Sequence, residues 1–117
     1  MRIPKSFNLF ASRINVNFDN EKLSDGNMLG NCSFTDLSIT LCDEYKGESL
    51  SESVVIDTFY HEKVHTILDS MGESKLSANE KFVEVFSRLL RQSDESAKFH
   101  DSGEDTKLKQ QLSKIFK

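Results

Sequence analysis

Two histidines and a glutamate stand at His61-Glu62-Lys63-Val64-His65, and they are two of the three histidines in the chain. On a helix, residues four apart share a face, so both imidazoles can reach one metal ion. A glutamate directly after the first histidine is then placed to act as general base on a metal-bound water. The pattern H-E-x-x-H therefore points to a zinc ion and to hydrolysis of a peptide bond, with Glu62 as the base.

Two histidines alone do not hold a catalytic zinc, which needs a third protein ligand and leaves its fourth position to water. Glu80 and Glu84 follow His65 by fifteen and nineteen residues and lie one helical turn apart. A turn at Gly72-Glu73-Ser74 would bring a return helix carrying them back to the site. Glu80 is the preferred third ligand. Glu84 is then an outer-shell acceptor for the histidine nitrogen that does not bind metal, or the alternative ligand. Asp69, one turn after His65, is a weaker candidate. A plainer reading competes for Glu80: Ser77-Ala78-Asn79-Glu80 is itself a capping box, in which the glutamate only satisfies a backbone donor.

The elements that must hold these residues follow from periodicity. Residues 7–18 carry Ile14, Val16 and Phe18 at period two, which predicts a half-buried strand. The polar stretch Asp19 to Gly30 predicts a loop or hairpin connection. Asn31 to Cys42 is a second extended stretch, with a hinge near Thr35-Asp36 that splits it in two. Asp43 to Leu50 is another polar connection. Ser49-Leu50-Ser51-Glu52 fits a capping box for a long helix, on which Ile56, Phe59, Tyr60, Val64, Ile67, Leu68 and Met71 form one apolar arc ending at Gly72. His61 and His65 fall at the edge of that arc, with Glu62 further round. A second helix runs from about Ser77 to Arg91 with a broad apolar face of Phe82, Val83, Val85, Phe86, Leu89 and Leu90. From Ser93 to Thr106 apolar periodicity is lost, and Leu108, Leu112, Ile115 and Phe116 mark a short terminal helix. The expected organisation is a domain over 1–92 and a polar tail over 93–117.

Composition narrows the function classes. With 117 residues there is room for one core, and a net charge of −4 without a basic run argues against nucleic acid as a partner. No apolar run approaches a membrane span, and no h-region follows the N-terminus. Cys32 and Cys42 lack a C-x-x-C spacing, so reduced thiols in the cytoplasm are expected rather than a disulfide.

The run Thr58 to Glu73, with Leu76-Ser77-Ala78-Asn79-Glu80-Lys81-Phe82-Val83-Glu84 and Leu89-Leu90-Arg91-Gln92, resembles small gluzincin-type metallopeptidases of phages, prophages and other mobile elements. A more distant likeness is to the repressor-cleaving (ImmA-type) peptidases, which have a longer gap before their glutamate. The resemblance implies an α+β, minimal zincin-like fold, a small antiparallel or mixed sheet packed on the H-E-x-x-H helix. It implies one zinc per chain on His61, His65 and Glu80, with Glu62 as base. A peptide or protein substrate would add to a strand edge, for which Leu37–Cys42 is the expected segment. Tyr45, Tyr60 and His100 are candidates to steady the oxyanion. Each has an ordinary reading: Tyr60 as a packed residue, Tyr45 and His100 as surface residues. Cys42 reads as a small core residue rather than a nucleophile. The competing function is a zincin-fold binding module that grips a protein without cutting it. A third reading closes the histidines with two carboxylates into a structural site.

Overall fold

The computed structural model describes residues 3–100 and 111–112 and shows an α+β fold. The alternation in residues 7–18 is real but broken. β1 (Ser6–Leu9) and β2 (Ser12–Phe18) form a hairpin, with Leu9 opposite Ser12 and only Phe10-Ala11 between them. Phe10 takes a φ of 52° there. That turn carries none of the Gly, Asn or Asp that would announce it in a sequence.

Asp19 to Gly30 is not a plain loop. Asp19 accepts a hydrogen bond from the Lys22 backbone N–H and caps a short helix, α1 (Asn20–Asp25). Leu23 is its one buried residue, so no apolar period could reveal it. β3 (Gly30–Ser33) and β4 (Ser38–Leu41) follow, separated at the hinge expected near Thr35-Asp36. A small hairpin, β5 (Glu44–Tyr45) and β6 (Glu48–Ser49), leads to the long helix.

The four-stranded sheet has the order β1-β2-β4-β3, with β2 and β4 parallel and the other pairs antiparallel. This corrects the expected substrate edge. The Leu37–Cys42 segment is hydrogen-bonded on both sides, and Ile39, Thr40, Leu41 and Cys42 are all buried. Its alternating Thr and Cys are small enough to be buried too, which makes an interior strand read as a half-exposed one. The outer strand on that side is β3.

α2 (Glu52–Ser70) is capped by Ser51, whose hydroxyl accepts from the Val54 backbone N–H, not by Ser49, which belongs to β6. Gly72, at φ 76°, lets the chain turn out of the helix. The helix is buried on two sides rather than along one arc. Val55 and Phe59 pack on Ile14, Val16, Ile39 and Leu41 of the sheet, while Val64 and Leu68 pack on Val83 of the return helix. Met71, expected inside, is exposed.

A short helix, α3 (Ser74–Ser77), precedes α4 (Glu80–Ser96). α4 starts later and ends later than expected, running past Arg91 and Gln92. Arg91 clamps it to α2: its Nη1 donates to Asp57 at 2.7 Å and to the Ser53 carbonyl at 2.8 Å. Val83 and Ser87 face inward, with Leu90 packed beside them, but Val85, Phe86 and Leu89 are turned to solvent, so the apolar face of α4 is covered only in part. The predicted terminal helix lies outside the described residues except for Gln111 and Leu112, which are helical and exposed. Among the described residues, no helix is long and apolar enough to cross a membrane.

Candidate metal centre

One turn of α2 separates His61 from His65, and their rings stand 4.9 Å apart, centroid to centroid. Glu80 reaches them from the start of α4. Asn79, not Ser77, caps that helix by accepting from the Phe82 N–H, which makes Glu80 the first helical residue and frees its carboxylate from a capping role. Glu80 Oε2 lies 3.3 Å from His61 Nε2, and Oε1 lies 3.2 Å from His65 Nε2. One ligand atom from each of the three residues falls within 4.8 Å of the others, so the group could hold a metal ion.

The other ring nitrogens are also occupied. His61 Nδ1 is 3.2 Å from Glu84 Oε2, and His65 Nδ1 is 3.0 Å from the Ser77 hydroxyl. Carboxylates only accept, so His61 faces an acceptor at each end of its ring. A neutral imidazole donates at one nitrogen alone. A metal ion would match this arrangement, and the two imidazoles and one carboxylate are a donor set suited to zinc. With Glu84 beside Nδ1, Nε2 is the atom that could bind a metal ion. Ser77 does the same for His65, and as a hydroxyl it can donate or accept.

Glu62 does not lie round the exposed side of the helix. It falls in the line Val55, Phe59, Glu62, Thr66 that faces the sheet, and it is only 9% exposed. Burial pushes its carboxyl above the usual range, against the pull of His61, a hydrogen bond from the Cys32 thiol, and His65; Glu80 adds to the rise. The thiol of Cys32 is itself pushed up to about 12, by burial first and then by Glu62. Gly30 of β3 lies against the same stretch of α2, where a Cβ would come 3.2 Å from Glu62 Cγ. A cleft of about 490 Å³ opens beside the group, with Leu29, Gly30, Val54, His61, Glu62 and Arg88 among its walls.

The five residues singled out around the motif are thus brought together: His61, His65 and Glu80 face one another, Glu84 backs His61, and Glu62 lies alongside. Asp69 is not in the group, and its charge helps to raise the thiol of Cys32. Of the oxyanion candidates, Tyr60 donates its hydroxyl to Asp94 at 2.7 Å, Tyr45 lies on β5 with Lys46 over its ring, and His100 is exposed beyond α4. None of the three lines the cleft. Four residues at the site had no place in the reading of the motif: Gly30, Cys32, Ser77 and Arg88. Arg88 had a signal, since it follows Glu84 by four residues on the same helix, and its Nη2 lies 2.6 Å from Glu84 Oε1. Ser77 was masked by its resemblance to a helix cap. Both thiols are free, with the Cys42 Sγ donating to the Leu29 carbonyl at 3.3 Å. Comparison with protein-family models, curated proteins and solved structures returns no match.

Proposed function

We propose that this chain is a small zinc-dependent metallopeptidase, zincin-like in design and of the gluzincin type found in phages and other mobile elements. The observation that carries this reading is the group His61, His65 and Glu80, whose ligand atoms lie within 4.8 Å of one another, beside a buried glutamate in the H-E-x-x-H position. His61, His65 and Glu80 would hold one zinc ion, which supplies a Lewis acid able to acidify water towards pKa ~7. Glu84 and Ser77 fix the two rings. Glu62 takes the proton of the attacking water and returns it to the leaving amine. Its burial suits that work, because it raises the pKa of the carboxyl and so makes it a stronger proton acceptor. Free thiols at Cys32 and Cys42 suit a reducing, cytoplasmic setting.

A peptide would add to β3 rather than to the buried β4. The competing reading, a binding module of the same frame, is favoured by the uncovered Val85, Phe86 and Leu89 on α4. One experiment separates them. Zinc-loaded protein and its Glu62→Gln variant are each incubated with a degenerate peptide mixture, and new termini are read by mass spectrometry. Products from the parent and none from the variant are expected. Identical product sets would remove Glu62 as the base, and no products from either would favour the binding module.

A further inference from the structure

We propose that the cleft beside His61 receives the carboxyl side of the peptide and selects an apolar side chain followed by a carboxylate, which Arg88 holds. This rests on the peptidase reading above and names the substrate class for the same site.

Strand direction supplies the first step. Gly30 lies against Thr58 and Glu62, while Cys32, two residues on, meets Glu62 and Thr66. β3 and α2 therefore advance the same way along their contact. Among the described strands, none pairs with the outer edge of β3. A peptide added there antiparallel, the slightly stronger pairing, runs the opposite way. Its amino end lies beside Ser33, it passes Glu62 near Gly30, and its carboxyl end continues towards Met28 and Leu29. Those two residues open the cleft, so the peptide on the carboxyl side of the cut bond enters it.

The walls supply the second step. Met28, Leu29 and Val54 are each more than a third exposed and form an apolar surface that an incoming side chain would cover. The charged residues of the walls are Asp57, Glu62, Glu84 and Arg88. Asp57 is taken by Arg91 at 2.7 Å, and Glu84 is shared between His61 and Arg88. Asp57 and Glu84 are thus engaged, and the third carboxylate, Glu62, is the buried one that accepts from the Cys32 thiol. Arg88 is the one permanent cation among the cleft-lining residues, is 67% exposed, and is held by Glu84 through one nitrogen of its fork. A guanidinium offers five N–H donors in one plane, matched to a carboxylate. That carboxylate is either the C-terminus of a substrate cut close to its end or an Asp or Glu side chain after the apolar residue.

The test uses binding, so that it does not depend on turnover. Zinc-loaded Glu62→Gln protein is titrated with labelled peptides in two matched pairs. One pair ends in Leu-Gly as the free acid or the amide; the other carries internal Leu-Glu or Leu-Gln with an amidated end. Removing the carboxylate should weaken binding about tenfold in one pair, which identifies the source. Arg88→Gln in the same background, with zinc content checked, should abolish the difference and leave the neutral peptides unaffected. Equal binding within both pairs, or a difference that survives Arg88→Gln, overturns the assignment to Arg88. The parent enzyme is then assayed for cleavage before the leucine of the same peptides. Cleavage without discrimination sinks the selectivity and spares the peptidase reading. Arg88-dependent discrimination without cleavage does the reverse.

Discussion

Gly30 on β3 lies so close to Thr58 on α2 that a Cβ at position 30 would overlap the Thr58 methyl. The absence of a side chain there seats the outer strand in the groove of the helix, next to the proposed base. Gly30→Ala should destabilise the fold by about 1–3 kcal/mol, since overpacking forces backbone apart. Thr58→Ser removes the obstructing methyl and keeps the hydroxyl that donates to the Val54 carbonyl at 2.8 Å. The double variant should regain most of the lost stability in thermal melts. Additive losses in the double variant would show that the two residues do not press on each other.

Zinc binding should divide the site residues into two classes. His61→Ala, His65→Ala and Glu80→Ala should abolish stoichiometric zinc, whereas Glu84→Gln and Ser77→Ala should keep it with affinity reduced roughly 10–100-fold. Competition with a chromophoric chelator measures both. Zinc retained by Glu80→Ala and lost by Glu84→Ala would exchange the two glutamates. That exchange is a sharp alternative, because both touch His61, one at each nitrogen.

How legible each element was in the chain depends on how it is held. α2 announces itself because it is buried on two sides and so carries many apolar residues at helical spacing. α1 buries only Leu23 and shows no period, although Asp19 three residues before Lys22 is a usable capping signal. Both long helices begin at a polar residue two positions beyond the serine that the spacing favours, Ser51 and Asn79. A local capping pattern cannot say which serine has work elsewhere, and Ser77 is bound to His65. Glu62 was legible as a candidate base but not as a buried residue, because the sequence does not show the approach of β3, whose Gly30 and Cys32 lie against it. Strand order was illegible for a similar reason: Thr40 and Cys42 look the same in a sequence on an edge or an interior strand.

Neither cysteine should react in the folded, metal-free protein. Burial, then the charge of Glu62, holds the Cys32 thiol at about 12, and burial with Asp43 raises that of Cys42. Since the thiolate is the nucleophile, iodoacetamide at pH 8 should label both only after denaturation. Glu62→Gln removes a charge and an acceptor from Cys32 alone, so labelling of Cys32 should accelerate while Cys42 stays protected. Mass spectrometry of the labelled peptides distinguishes them. Rapid native labelling of Cys32 in the parent would contradict its burial beside Glu62.

Glu62 should also cost the metal-free protein stability, with a definite pH dependence. Its folded pKa is raised above an ordinary value of 4.5, chiefly by burial. The native state therefore holds that proton more tightly than the unfolded chain does. The resulting stabilisation is fully present below about pH 4.5 and is lost as pH climbs through the raised folded value. Gln at this position has no proton to lose. The melting temperature of Glu62→Gln should match the parent near pH 4 and exceed it increasingly towards pH 7. A difference of about 1 kcal/mol would appear as roughly 4–8 °C in a domain of this size. Saturating zinc should shrink the gap, because a cation among His61, His65 and Glu80 favours the ionised form of Glu62. A gap that widens as pH falls would mean that Glu62 is stabilised as a carboxylate in the metal-free fold, opposite to what its burial dictates.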